Sequence, residues 1–363
     1  MFLTSCSDRS ANTPGPTPGN DSQPAYIALS SDHTGAKDGG EDDRFRVVYD
    51  DGTTEAVAPD DTMPGGMLAR FGDGVLYGAK DAVTLFDSDG NATDEIPVEG
   101  SSSPTFAVTS AGSTATTVFY GTSVGREASL ATVTDGQVKQ VPADDQPSVT
   151  SVTVCDDGTT YWLDEQHGTS PTRYQVSRMD PDGRVETTDD PEGAFTGARA
   201  TQFDCDGDGA SVIASMQDGE TDRRVVDGVS ERPQVSEQER VDNSMNSEMP
   251  RSTRVVDGAL FTTDRDGSYQ RIPFAMGEDT ETGQFDLGGG VAHQVTYDRD
   301  RVVVSHTADS REGDLEISTF GAGNPGERLD HTVVGESSWG AGTDSANDLN
   351  STTSAWRIFP LDQ

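Results

Sequence analysis

The chain has 363 residues and carries 64 Asp and Glu against 25 Lys and Arg. Its formal net charge of -39 excludes a nucleic-acid-binding surface and electrostatic attachment to anionic lipid, since both need Lys and Arg to release counterions. Leu, Ile, Val and Phe supply only 64 residues, a share usual for chains too poor in apolar surface to offset their entropy, yet Val, Ile, Phe, Tyr and Trp total 62 against 21 Leu and Met. That bias, with 40 Gly and 18 Pro, predicts an all-β fold of many short strands around a thin core.

In chain order, the first feature is Leu3-Thr4-Ser5-Cys6, which resembles a bacterial lipobox, a small-residue cleavage site ending in the cysteine that receives lipid. Only Met1 and Phe2 precede it, whereas a lipobox follows an apolar stretch of about 7 to 15 residues, so the start is read as truncated or misassigned. The competing reading is a chance cysteine near the terminus. Ser7 to Pro24 then holds Ala11 as its single apolar residue and reads as a disordered tether. At about 3.3 Å per residue it would reach up to about 60 Å from a bilayer. No run of about 18 apolar residues is present, so a lipid on Cys6 is the one membrane attachment expected. The predicted division is residues 1–24 as lipobox remnant and tether, and 25–363 as one β domain.

From Gln23 onward a unit of β-run, Gly turn, β-run, connection, β-run, Gly turn and β-run recurs. A three-strand version comes first, with Tyr26 to Leu29, Phe45 to Tyr49 and Thr54 to Val57. The clearest copy runs from Met67 to Phe71, through Val75 to Tyr77 and Val83 to Phe86, turns at Asp87 to Gly90, and ends near Val98. Another runs Ser148 to Cys155, Thr159 to Leu163, Tyr174 to Met179 and Val185 to Thr187, with Asp157-Gly158 and Asp182-Gly183 as two-residue hairpin turns. The first turns fall near Gly74, Gly112, Gly158, Gly207, Gly258 and Arg299, a period of about 40 to 50 residues. Glu231 to Met249 reads as a long excursion between units, the unit at Ser252 to Leu287 as irregular, and Gly335 to Ser354 as featureless. The last β-run, Ala355 to Phe359, has no neighbour in sequence to pair with.

This pattern resembles the bacterial extracytoplasmic β-propellers over most of the chain, without the tryptophan or kelch signatures of a named subfamily. The resemblance implies an all-β propeller of four-stranded blades. Seven blades fit best, with the ring closed by the C-terminal strand and free sheet edges removed; six or eight stay open, and a pair of β-sandwiches is the rival architecture.

Cys155 and Cys205 lie 50 residues apart in matching contexts, Val154-Cys155-Asp156-Asp157-Gly158 and Asp204-Cys205-Asp206-Gly207, and are read either as an inter-blade disulfide or as two buried thiols that never meet. Asp204, Asp206 and Asp208 match D-x-D-x-D-G and resemble the calcium loop of integrin-type propeller blades, which implies Ca²⁺; the alternative is one more acidic hairpin. Val212 and Ser215 stand where the full calcium patterns place a carboxylate. Asp87, Asp89 and Asn91 form a second, looser set. Among His33, His167, His293, His306 and His331 there is no zinc spacing, although His293 and His306 flank one hairpin. Arg223-Arg224 and Arg251 with Arg254 are read as salt-bridging surface positions.

No catalytic residue, and no cofactor beyond Ca²⁺, is assigned. The expected function is a monomeric, non-enzymatic binding or scaffolding propeller, lipid-anchored outside a bacterial membrane and meeting a protein or glycan of the envelope. The alternatives are an envelope hydrolase or lyase with its site at the central channel mouth, and a Ca²⁺-dependent binder.

Overall fold

The computed structural model describes residues 18–19, 21–30, 44–56, 67–72, 74–78, 82–97, 101–111, 114–121, 128–134, 137–142, 147–155, 157–166, 173–189, 193–206, 209–216, 219–227, 233–241, 252–256, 258–264, 266–298, 300–308, 314–335 and 357–361. Every strand belongs to a four-stranded antiparallel sheet. Three strands come first, β1 (Pro24–Ser30), β2 (Arg44–Tyr49) and β3 (Thr54–Ala56). The next sheet holds β4 (Met67–Phe71), β5 (Gly74–Gly78), β6 (Ala82–Phe86) and β7 (Ala92–Pro97). β8 (Ser101–Ala111), β9 (Thr114–Gly121), β10 (Ala128–Thr134) and β11 (Gln137–Pro142) follow, then β12 (Pro147–Val154), β13 (Thr160–Gln166), β14 (Arg173–Met179) and β15 (Val185–Asp189). β16 (Ala198–Asp206), β17 (Gly209–Met216), β18 (Thr221–Asp227) and β19 (Gln234–Val241) precede β20 (Ser252–Val256), β21 (Ala259–Thr263), β22 (Ser268–Pro273) and β23 (Glu281–Gln284). β24 (Val291–Asp298), β25 (Arg301–Thr307), β26 (Leu315–Gly321) and β27 (Asn324–Val334) form the last consecutive set, and β28 (Arg357–Pro360) is the last described strand.

These are the four-stranded blades of a β-propeller. The expectation of seven blades in a ring closed by the C-terminal strand is corrected on two points. The repeat of four consecutive strands occurs six times, not seven; β1, β2 and β3 make only three strands, and a composite sheet in the order β28-β1-β2-β3 forms when the C-terminal strand is added. Nor is any sheet closed. β28 pairs with β1 alone, from Tyr26↔Pro360 to Leu29↔Arg357, and each sheet keeps two edges. The blades stand face to face, so β4, β8, β12, β16, β20, β24 and β28 meet their neighbours through side chains rather than through a shared ladder.

Burial follows strand order. Val75, Leu76 and Tyr77 of β5 are fully buried, because both faces of a second strand meet neighbouring blades, whereas β7 is exposed apart from half-buried Ile96. This gradient reconciles a low apolar fraction with a folded chain: roughly the outer strand of each blade can be polar. The apolar side chains gather in clusters between sheets. One joins Leu163 and Val176 to Phe203 and Val212, another Phe261 and Phe285 to Val304 and Phe320, and a third Val48 and Ile358 to Val303 and Ile317.

One turn recurs. At Tyr49–Thr53, Asp87–Asn91, Cys155–Thr159, Asp180–Arg184, Met216–Glu220 and Asp264–Ser268, the first residue's N–H donates to the carbonyl of the fifth, and the fourth residue's N–H donates back to the carbonyl of the first. The fourth residue is always a Gly that follows Asp, with φ of 78° at Gly52 and 89° at Gly183. These are three-residue loops that end in left-handed glycine, not the two-residue turns expected from Asp-Gly. Asp51, Asp157 and Asp266 each accept the N–H two residues on, which explains why Asp precedes the Gly.

Two further expectations are corrected. β19 crosses the stretch read as an excursion between units, because Gln234–Val241 is an exposed outer strand whose polar side chains hide its β period. The unit read as irregular is a regular sheet, β20 to β23. At the other end of the domain, Gly19, Ser22 and Gln23 hydrogen-bond the carboxylates of Asp50 and Asp51, so the end of the expected tether rests on the β2–β3 turn.

Candidate functional site

The calcium motif lies largely outside the described residues. Asp204 is half-buried on β16, while the side chain of Asp206 and all of Asp208 fall outside them. In the second set, Asp87 Oδ1 accepts the N–H groups of Asp89 and Asn91 at 3.0 and 2.8 Å, which commits that carboxylate to its own turn. Cys6, His33, His167 and Arg251 also lie outside the described residues. Cys155 and Cys205 meet, with a Cα separation of 5.5 Å and an S–S distance of 1.96 Å, so the bond ties β16 to the end of β12 across the cluster between their blades.

Arg223 and Arg224 are not surface residues. Alternation on β18 sends them to opposite faces, and both are buried. Arg223 pairs with Glu239 at 2.8 Å and donates to the Glu278 carbonyl; Arg224 pairs with Asp222 at 3.0 Å and lies over the Phe195 ring. A third buried arginine binds the first strands together. Arg70 of β4 reaches both carboxylate oxygens of Asp298 of β24, at 2.5 and 3.1 Å, and the Pro360 carbonyl of β28 at 2.7 Å.

The densest chemistry that sequence reading missed lies on β25, β26 and β27. Registers pair His306 with Glu316 and Ser318 with His331, so alternation puts all four on one face of the blade. Val302, Val304 and Phe320 continue that face into the cluster shared with β21, while Val303, Leu315 and Ile317 cover the opposite face against the composite sheet. His306 is fully buried, and its Nε2 lies 2.9 Å from Ser318 Oγ, itself 3.2 Å from His331 Nδ1. On the other side of the rings, His331 Nε2 is 3.5 Å and His306 Nδ1 3.9 Å from Glu316 Oε2. The three ligand atoms all lie within 4.8 Å of one another, with Glu316 half-buried and His331 at the solvent edge.

His306 Nδ1 is buried without a hydrogen-bond partner. Burial, reinforced by His331, His293 and Arg328, pushes the His306 imidazole down to about 4, so it is neutral near pH 7. Gly290 makes room for the ring: a Cβ there would lie 3.1 Å from Nδ1 and 2.6 Å from the Thr307 carbonyl. His293, the partner suggested by the hairpin, instead meets Thr307 Oγ1 at 2.9 Å, where an irregularity in register falls between Ala292 and Gln294. Counting alternate positions on β26 and β27 would have found Glu316, Ser318 and His331 once the register was known. No spacing in the sequence supplies that register.

No protein-family profile matches the chain, and no curated protein sequence does. Among solved structures, the periplasmic gluconolactonase PpgL of Pseudomonas aeruginosa is 16% identical over 93% of this chain and 100% of its own, with a TM-score of 0.51. That likeness is one of fold and identifies the chain as a β-propeller. A catalytically inactive virginiamycin B lyase of Staphylococcus aureus, solved with quinupristin, is 11% identical over 81% of this chain and 96% of its own, with a TM-score of 0.43. BamB of Moraxella catarrhalis is 15% identical over 73% of this chain and 74% of its own, at 0.36.

Proposed function

We propose that the chain is a non-enzymatic binding propeller held outside a bacterial membrane by a lipid on Cys6, with its loops presented to a protein or glycan of the envelope. The observation that carries the binding reading is the state of the charges on the first strands. Arg70 spends its hydrogen bonds on Asp298, Pro360 and the Gly74 carbonyl, and the Arg70–Asp298 pair is buried, so this ionic group joins two blades and the composite sheet. Side chains committed in this way stabilise a rigid platform; a substrate would have to break them to use them. The lipid anchor rests on Leu3 to Cys6 and the polar stretch after it, and a net charge of -39 favours acyl chains over basic residues as the means of membrane attachment.

Two measurements test this reading. Intact-mass analysis of protein expressed from the full upstream reading frame should show acyl mass on Cys6, and a freely secreted, unmodified product would overturn the anchor. Photo-crosslinkers placed in the loops should capture the same envelope component reproducibly. Turnover of a lactone or ester substrate by purified protein would overturn the non-enzymatic reading.

A further inference from the structure

We infer that His306, Glu316 and His331 form a binding site for a divalent transition-metal ion, with Zn²⁺ the best chemical match. The argument is independent of the binding-platform reading. Ser318 Oγ lies between the distal nitrogens of the two rings, 2.9 Å from His306 Nε2 and 3.2 Å from His331 Nδ1. A hydroxyl oxygen has two lone pairs and can accept an N–H from both. With both rings donating to Ser318, lone pairs are left on His306 Nδ1 and His331 Nε2, the two atoms that face Glu316 Oε2. In that tautomeric state three acceptors converge, and one of them is a fully buried nitrogen without a hydrogen-bond partner. A cation resolves the arrangement.

The donors select its class. Two imidazoles and one carboxylate suit Zn²⁺ and its transition-metal neighbours, whereas Ca²⁺ and Mg²⁺ take oxygen ligands. Tetrahedral coordination at about 2.1 Å needs ligand atoms about 3.4 Å apart. The His331 to Glu316 separation of 3.5 Å already meets this, and His306 to Glu316 at 3.9 Å needs only a small contraction. Ser318 Oγ holds the ring nitrogen that faces away from the ion on both histidines, which orients them as ligands. Since Glu316 and His331 are partly exposed, the fourth position opens toward solvent and would take water or a partner's side chain.

The test is calorimetric titration of chelator-stripped, full-length protein with Zn²⁺, together with visible absorption on loading with Co²⁺. One tight ion per chain is expected, with the intense d–d bands of tetrahedral Co²⁺ and no comparable response to Ca²⁺ or Mg²⁺. H331A and E316Q should abolish the bands, and S318A should weaken binding by about 10- to 100-fold. Both ligand positions are partly exposed, so those variants should keep the wild-type circular dichroism and melting behaviour; D51N serves as a surface-carboxylate control that keeps binding. The inference is overturned if no stoichiometric Zn²⁺ binds, or if folded H331A and E316Q bind it as wild type does, which would assign the ion to surface carboxylates.

Discussion

Asp164 offers a quantitative test of the inter-blade crevices. It lies on β13 beside Trp162, whose Nε1–H donates to Oδ2 at 2.7 Å, while Oδ1 is buried with no hydrogen-bond partner. Burial raises its pKa from 3.8 to about 6, only partly opposed by the Trp162 hydrogen bond. A raised carboxyl pKa means that the fold favours the protonated form, so this contribution is fully present below about pH 4 and is lost as the pH rises through about 6. Two units correspond to about 3 kcal/mol of destabilisation at neutral pH. D164N keeps an acceptor for Trp162 and removes the charge, but places an orphan N–H where Oδ1 was, at a cost of about 1 kcal/mol. The variant should therefore exceed wild type by about 2 kcal/mol at pH 7.5 and by about 0.5 kcal/mol at pH 5. Urea unfolding followed by tryptophan fluorescence, run on both proteins at pH 5 and above to stay clear of the pI near 4.1, reads the difference directly. A gap that does not change with pH, or a less stable D164N at pH 7.5, would refute the assignment of the cost to a buried charge.

The C155S/C205S double variant should lose about 4 kcal/mol, the loop-closure value for a 50-residue separation, and reducing agent should lower the melting temperature of wild type but not of the variant. R70M leaves Asp298 buried with Arg301, 3.8 Å away, as its remaining cation among the described residues, and should cost about 3 kcal/mol or more by chemical denaturation. Gly52 and Gly183 both hold positive φ, but a Cβ at Gly52 would lie 2.0 Å from the Val333 carbonyl while one at Gly183 meets nothing within 4 Å. G183A should therefore cost about 1 to 2 kcal/mol from backbone strain alone, and G52A clearly more, a comparison that paired melting curves make.

The strand content was legible because it rests on residue types and on a turn chemistry repeated along the chain. Val75-Leu76-Tyr77 announces a strand buried on both faces, and Asp157-Gly158 announces a hairpin even though the loop holds one more residue than expected. The orphan β-run at the C-terminus pointed to a partner among the first strands. β19 was hidden because an outer strand such as Gln234–Val241 has little need of apolar residues. The buried arginines were hidden for a related reason: Arg224 looks like a surface charge until Phe195 and Asp222 are brought over it by a neighbouring loop and the local strand. The His306 cluster was illegible because its members stand on three strands, and only the ladder decides which of them share a face.

The composite sheet gives the molecule an order of completion. Ribosomes deliver a chain from its N-terminus, so β1 to β3 emerge early and wait, with the β1 edge unsatisfied, while some three hundred residues follow. Only when Arg357–Pro360 arrives does that edge find its partner, and with it Pro360 supplies the carbonyl that Arg70 has been lacking. Four residues thus join two distant parts of the chain, the β1 edge and the Arg70 guanidinium. Removal of Arg357–Pro360 would leave the β1 edge exposed, the kind of surface that recruits a second molecule or a protease.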